Sequence, residues 1–358
     1  MAVRIFRNRR PRMLAPSRIL RPPPRQMGGG RWREDLVAEA HLAMKRGTRT
    51  LGVAARRLDK GSRERAWLLY AWCRRCNDIA AEPHSAAAEG ADDPRIKAIR
   101  VLTRRAFEGE PTADPAFDAF GQVAMEAGLD EQLAQDAIEG VTLDAMAWQP
   151  HSEADLMRYA YHTGGAPAVM MARALGVPAD EEELLDRACD FGLAFALIGI
   201  ARDLHRDEAD QHCLLPSEWL AEADIPPGEE MKPAYRDALV MLAARLLDHA
   251  EQYEARGRLG IDVLSYRQRW AVLTAANIYL ILAGRLRRRG AWAWDRPVQL
   301  GPLAKLRAIV KAAFEAIDRA AEPFARPAWD RGRILIAVRM AGPIPPAPMT
   351  PLPDEDAG

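Results

Sequence analysis

From Glu34 to Met340, apolar residues recur at spacings of three and four, and no stretch alternates apolar with polar as a half-buried strand would. Ala, Leu, Arg and Glu dominate, and all four favour helix. The periodicity predicts helices over Arg33–Lys45, Ser62–Ala81, Pro94–Glu108, Pro115–Ala127, Asp130–Trp148, Ser152–His162, Asp180–Ala209, Met231–Arg256, Val263–Arg288, Pro302–Ala321 and Trp329–Met340. Some carry their own start signals. Ser62-Arg63-Glu64 supplies a hydroxyl cap and an early acid, and Asp180-Glu181-Glu182-Glu183 sets four acids at the positive end of a helix dipole. The intervening loops are short and hold Pro or Gly, as at Glu110-Pro111 and Ile225-Pro226-Pro227-Gly228. No solenoid-length repeat is visible. The expected architecture is all-α, a single-domain helical bundle.

The two ends depart from this pattern. Residues 1–32, with Arg21-Pro22-Pro23-Pro24-Arg25 and Gly28-Gly29-Gly30, read as a disordered arm. An Arg-rich leader without acids also suits a transit peptide, but the Pro and Gly content breaks any amphipathic helix. Residues 33–341 form the expected all-α domain, and 342–358 a disordered Pro-rich, acidic tail. The formal net charge is zero, yet residues 1–33 hold ten Arg and no acid, which leaves 40 Lys and Arg against 50 Asp and Glu beyond them. A mildly acidic body argues against nucleic acid as a partner. Runs such as Phe191–Ala201 are too short to cross a bilayer. Four Cys in 358 residues suit a reducing compartment, so the expected location is the cytoplasm, with the membrane surface as an extension. The run Arg285-Leu286-Arg287-Arg288-Arg289 reads either as a solvated helix end or as a peripheral membrane contact.

Two helices are apolar around most of their circumference, which places them at the centre of a bundle. They are Ala66-Trp67-Leu68-Leu69-Tyr70-Ala71-Trp72-Cys73 and Phe191-Gly192-Leu193-Ala194-Phe195-Ala196-Leu197-Ile198-Gly199-Ile200-Ala201. Gly192, Ala196 and Gly199 either admit a neighbouring helix or leave a void. Each helix turns polar at its C-terminal end. In the second, Asp203 and Asp207 are four residues apart and share a face, an arrangement whose mutual repulsion a divalent cation relieves. Such a pair on an arbitrary helix is more often a solvated face; after a wholly apolar run it is more informative. Cys73-Arg74-Arg75-Cys76 has a redox or zinc spacing but lies inside a helix with no second pair, so these cysteines read as structural. Asp144 near the end of its helix reads as a solvated acid or a group facing the mouth of the core, and Tyr159, Tyr161 and His162 as core or cavity lining.

The chain resembles the phytoene/squalene synthase family of head-to-head prenyltransferases, bacterial phytoene synthases above all. The residues that carry the resemblance are Tyr70-Ala71-Trp72-Cys73-Arg74-Arg75-Cys76, Tyr159-Ala160-Tyr161-His162 with Gly164-Gly165, Phe191-Gly192-Leu193-Ala194-Phe195, Ile200-Ala201-Arg202-Asp203, and Leu215-Pro216-Ser217-Glu218-Trp219-Leu220. It spans roughly Glu34 to Arg288. It implies an isoprenoid-synthase bundle around an apolar cavity, with Mg²⁺ (or Mn²⁺) held on prenyl diphosphates at its mouth. Two geranylgeranyl or farnesyl diphosphates would be joined head to head through a cyclopropyl intermediate. The implied catalytic residues are Asp203, Asp207, Asp78 and Tyr161. Substrate contacts fall to Thr48, Thr50, Arg74, Arg202, Tyr70 and Phe195, and metal ligation to Asp203, Asp207, Asp78 and Glu82.

The first acidic motif departs from the family pattern Asp-Asp-x-x-Asp. Here it reads Asn77-Asp78-Ile79-Ala80-Ala81, so both outer carboxylates are gone. The Gln and Asn expected on the second core helix are Ala196 and Gly199; Arg206 stands for an acid; His212-Cys213-Leu214-Leu215-Pro216 replaces an Arg-x-Tyr-Leu-Pro run. Thr48-Arg49-Thr50-Leu51 keeps both hydroxyls of a Ser-x-Ser-Phe segment. Three accounts follow. The ligand pair has moved to Asp78 and Glu82, four residues apart and rotated by about 100°. Or the enzyme works with one full metal site, Asp203 and Asp207, and uses Arg74, Arg75 and Arg202 for the other diphosphate. Or the cavity persists in a single-substrate terpene synthase, a lipid-binding protein or an assembly factor. The second account leads.

Overall fold

The computed structural model describes residues 28–47, 51–82, 93–209, 213–318 and 328–341, with side chains placed through Leu204 and again from Cys213. Among the described residues there are helices and turns and no strand. The helices are α1 (Arg33–Gly47), α2 (Leu51–Ala55), α3 (Lys60–Ala80), α4 (Pro94–Glu108), α5 (Pro115–Ala127), α6 (Glu131–Ala145), α7 (Glu153–Ala160), α8 (Ala166–Leu175), α9 (Glu182–Ala209), α10 (Ser217–Glu222), α11 (Arg236–Gly257), α12 (Tyr266–Arg289), α13 (Pro302–Glu315) and α14 (Arg331–Met340). The all-α expectation holds.

Local chemistry explains the boundaries. Asp93, Asp114 and Asp130 each accept a backbone N–H at a helix start. Pro follows the first two, and Gly109 and Gly128 in left-handed conformation close the same two helices. At α3 the cap is Asp59, whose side chain accepts from the Ser62 amide; Ser62 lies one turn inside rather than at the start. The helix expected to stop at His162 does not. After α7 the backbone passes through one wider π turn, Tyr161–Gly165, and continues as α8, with Pro167 tolerated because it falls in the first turn.

That continuation depends on a close approach to α9. A Cβ on Gly192 would sit 2.3 Å from the carbonyl oxygen of Gly164, and a Cβ on Gly164 the same distance from that of Gly192. Nothing lies within 4 Å of the Cβ position at Gly199. Of the two readings of these small residues, Gly192 admits a neighbour and Gly199 borders open space. Helix α9 also packs on α11, α12 and α8, while α3 packs on α1, α5 and α8, so α3 and α9 hold the bundle's centre.

The boundary of the N-terminal arm moves. Gly28, Gly29 and Gly30 all have positive φ, and this turn lies against α5. The Arg31 guanidinium donates to the buried Asp118 carboxylate at 3.0 Å, and the Thr112 amide and hydroxyl donate to its other oxygen at 3.0 and 2.8 Å. Residues 28–32 are therefore part of the folded body. Residues 1–27 and 342–358 lie outside the described residues.

The helix contact yields a paired expectation. Gly192→Ala forces two backbones apart and costs about 1–3 kcal/mol. Gly199→Ala meets nothing and gains about 0.5–1 kcal/mol from helix propensity. Urea denaturation midpoints of the two variants should move in opposite directions.

Candidate active site

The inward faces of α3, α6, α8, α9 and α12 enclose a cavity of about 540 Å³. Its wall on α3 follows helical spacing through Ala66, Leu69, Tyr70, Cys73 and Asn77; on α6 it runs Ala137, Val141, Asp144; on α9, Phe191, Phe195, Ala196. Apolar side chains make up most of it. Phe195 stacks on Tyr279 of α12, with centroids 4.3 Å apart. Burial raises the Tyr279 and Tyr70 phenols above their ordinary range, so both stay protonated donors at neutral pH.

Polar groups collect where these faces reach the helix C-termini. Asn77 ends the inward face of α3, and Asp144 that of α6. Asp203 lies seven residues beyond Ala196, nearly the same direction on α9 and about 10 Å further along. Its carboxylate accepts from Arg202 Nε at 2.9 Å, and a second contact joins Arg202 Nη2 to Asp203 Oδ2. That hydrogen bond holds the Arg202 guanidinium protonated above its usual range. Tyr159 donates to Asp144 Oδ1 at 2.6 Å.

Several expected residues are placed elsewhere. Tyr161, read as catalytic, faces away from the cavity: it is 1% exposed and its hydroxyl donates to Asp136 at 2.7 Å. Residues two apart on a helix point about 200° apart, so of this pair only Tyr159 reaches the polar rim. His162 does line the cavity, as expected, with its Nδ1 2.9 Å from the Asp136 carbonyl oxygen. Asp78 does not line the cavity; it pairs with Arg74 at 2.8 Å, and both are about half exposed. Glu82, the other half of the relocated pair, faces solvent and lies 3.4 Å from Arg75, which also holds Asp114 at 2.7 Å. The cavity face of α3 ends in Asn77, with Asp78 and Glu82 turned off it, so the structure gives no support to the relocated ligand pair. Tyr70 and Phe195 do line the cavity. Thr48 and Thr50 lie outside the described residues, as does the side chain of Asp207.

Two groups were missed or underweighted in the sequence. Tyr279 sits mid-helix on α12, in a segment with no motif to mark it, and lines the cavity. Of the two readings of Asp144, a solvated acid or a group facing the mouth, the second holds, and its place seven residues after Ala137 on an apolar face is the signal for it.

A profile of the squalene/phytoene synthase family matches residues 44–328. The chain belongs to this family. It is 38% identical over 266 residues to the phytoene synthase of Pseudescherichia vulneris, covering 73% of this chain and 85% of that protein. It is 33% identical over 308 residues to the 15-cis-phytoene synthase of Pantoea ananas, covering 83% and 98%. Among solved structures, a dehydrosqualene synthase with a bound ligand superposes with a TM-score of 0.71 at 20% identity, over 79% of this chain and 97% of that one. A squalene synthase from Alicyclobacillus acidocaldarius gives 0.65 at 18%, over 72% and 95%. These structures share the fold.

As a member of the squalene/phytoene synthase family, the chain is a prenyltransferase. The cysteines of the Cys73–Cys76 spacing line the cavity. Both are free thiols; burial pushes Cys73 up to about 12 and Cys76 well above its usual value. Both are therefore held as the unreactive thiol at pH 8. Both should resist a thiol-specific disulfide reagent in the native protein at that pH and react on addition of urea.

Proposed function

We propose that the enzyme condenses two geranylgeranyl diphosphates, or two farnesyl diphosphates, head to head with loss of both diphosphates, and that phytoene is the product of the longer substrate. The single observation that supports this reading most is the cavity itself. It is apolar along its length and polar at one end, in a chain 38% identical to a phytoene synthase. Prenyl tails bury in the greasy part by the hydrophobic effect, and the diphosphates stay at the polar rim. Exclusion of water protects a carbocation from quenching. The stacked faces of Phe195 and Tyr279 present negative electrostatic potential to such a cation.

The family's divalent metal fits the donor chemistry only in part. Asn77 and Asp144 line the cavity's polar end, and Asp203 lies about two turns beyond Ala196 on α9; all three are oxygen donors, which suit Mg²⁺ or Mn²⁺ over softer ions. Among the described residues, however, no cluster of three or more His, Cys, Asp or Glu is close enough to hold an ion. Asp203 with Asp207 would be the principal ligands, and diphosphate oxygens and water would complete the shell. When bound, the ion offsets charge on the departing diphosphate. Arg202 and Arg74 would balance the remaining charge; each is paired with an acid. A catalytically silent isoprenoid carrier and a single-substrate terpene synthase are the readings that lose ground to the sequence similarity.

Incubation with labelled geranylgeranyl diphosphate and Mg²⁺ should yield a C40 hydrocarbon; a C20 hydrocarbon, or binding with no turnover, would contradict the proposal. Asp203→Asn should lower kcat/KM by about 100-fold or more while leaving the thermal midpoint close to the parent's. Restoring acid with Asn77→Asp and Ala81→Asp should lower the Mg²⁺ concentration for half-maximal rate about threefold or more, measured by titration at saturating substrate.

A further inference from the structure

Helix α13 buries one face and leaves a second apolar face uncovered. Ala308 and Ala312, with Ala316 just past the helix end, pack inward. On the opposite side Leu303, Leu306, Val310, Phe314 and Ile317 follow helical spacing, and each is between 47% and 80% exposed. A helix with large apolar side chains turned to water is under strong pressure to be covered. Tyr266, 42% exposed, continues the stripe, with its hydroxyl 3.3 Å from the Ala313 carbonyl oxygen.

The charge beside the stripe says what covers it. A groove runs between α12 and α13, with Arg285, Arg288, Arg307 and Lys311 along it and Leu280 and Ile281 within it. Lys311 is partnered by Glu315, and Arg285 donates to the Gln299 carbonyl oxygen. Among the described residues, no carboxylate pairs with Arg288 or Arg307, and Arg288 lies over Gly284. Apolar side chains flanked by cations, with an aromatic ring at the margin, complement an anionic bilayer. The apolar residues enter the acyl boundary and the guanidinium groups meet phosphate. A protein partner of comparable apolarity would not need the cations.

We propose that α13 and the adjoining end of α12 form a monotopic docking surface for anionic phospholipid membranes, with lipid phosphates held by Arg288 and Arg307. No helix among the described residues is long and apolar enough to cross a membrane, so attachment is lateral. The stripe lies one helix away from the reaction cavity: Ile261 lines the cavity and packs in the same cluster as Ala312. The surface therefore brings the enzyme to the phase in which a hydrocarbon product dissolves, though its binding does not depend on which product forms.

The test is co-sedimentation of the full chain, without substrate, with vesicles of phosphatidylcholine alone or with about 30% phosphatidylglycerol. Binding to the anionic vesicles should be at least about tenfold tighter and should weaken between ~0.1 M and ~0.5 M NaCl. Leu306→Glu with Phe314→Glu should reduce binding to both vesicle types about tenfold or more. Arg288→Gln with Arg307→Gln should cost about fivefold per cation on anionic vesicles and nothing on neutral ones. The arginine pair carries the test should the apolar pair fail to fold. Vesicle binding equal to the parent in both variants would overturn the proposal and move attachment to the Arg-rich N-terminal segment. A dimer in sedimentation equilibrium that Phe314→Glu dissociates would overturn it in favour of a second copy.

Discussion

The bundle has to stay hollow in the middle while its helices touch firmly around the edge. A void deprives its lining of dispersion contacts, so an apolar cavity persists only where neighbouring packing prevents collapse. Here the firm contacts are backbone to backbone or ring to backbone. Gly164 meets Gly192 where the π turn crosses α9, and a Cβ at Gly257 would meet the Phe191 ring at 2.8 Å. These contacts fix how near α9 can come to its neighbours. The side chains beside them, Phe191, Phe195 and Ala196, then line a space that they do not fill. Without the close approaches, the polar ends of α3, α6 and α9 would have no fixed relation to the cavity they terminate.

Two acids near the ends of α3 and α9 are already paired with arginines. Asp203 rests on Arg202 and Asp78 on Arg74, each pair within one helix and partly open to solvent. Pairs of this kind contribute little to stability, because water and salt screen them. They can accordingly be broken at small cost. The deeper pairs behave otherwise. Asp190 is buried between Arg187 and Arg256, at 3.2 and 3.4 Å, and burial still pushes its carboxyl up to about 6. Arg187 also lines the cavity, so this network belongs to the wall.

The sequence made the fold legible wherever local chemistry marked both ends of a helix. Pro94–Glu108 and Pro115–Ala127 were bounded correctly because an Asp cap, a Pro and a left-handed Gly agree at each. Three helices were not foreseen. Leu51–Ala55 and Ser217–Glu222 are too short to show a period, and Ala166–Leu175 stands behind Gly164-Gly165 and Pro167, which read as a break. The missing information was tertiary: those glycines serve a crossing with α9. The site was legible by type more than by direction. The family resemblance put Tyr70 and Phe195 on the cavity wall, but a one-dimensional pattern did not say which way Tyr161 and Asp78 turn, and both turn from the cavity. Asn77 in place of a carboxylate was visible from the start, and the structure places it in the wall.

The three-glycine turn before α1 carries a practical lesson about where this polypeptide can be cut or extended. Gly29 has no room for a side chain, since a Cβ there would fall 2.3 Å from an Asp118 oxygen. Removing Gly28 through Arg31 would take away the guanidinium beside a buried carboxylate and leave that negative charge with only the Thr112 donors. A purification handle joined ahead of Gly28 keeps this clasp whole, whereas trimming a few residues further unlocks the corner where α5 meets the start of the bundle.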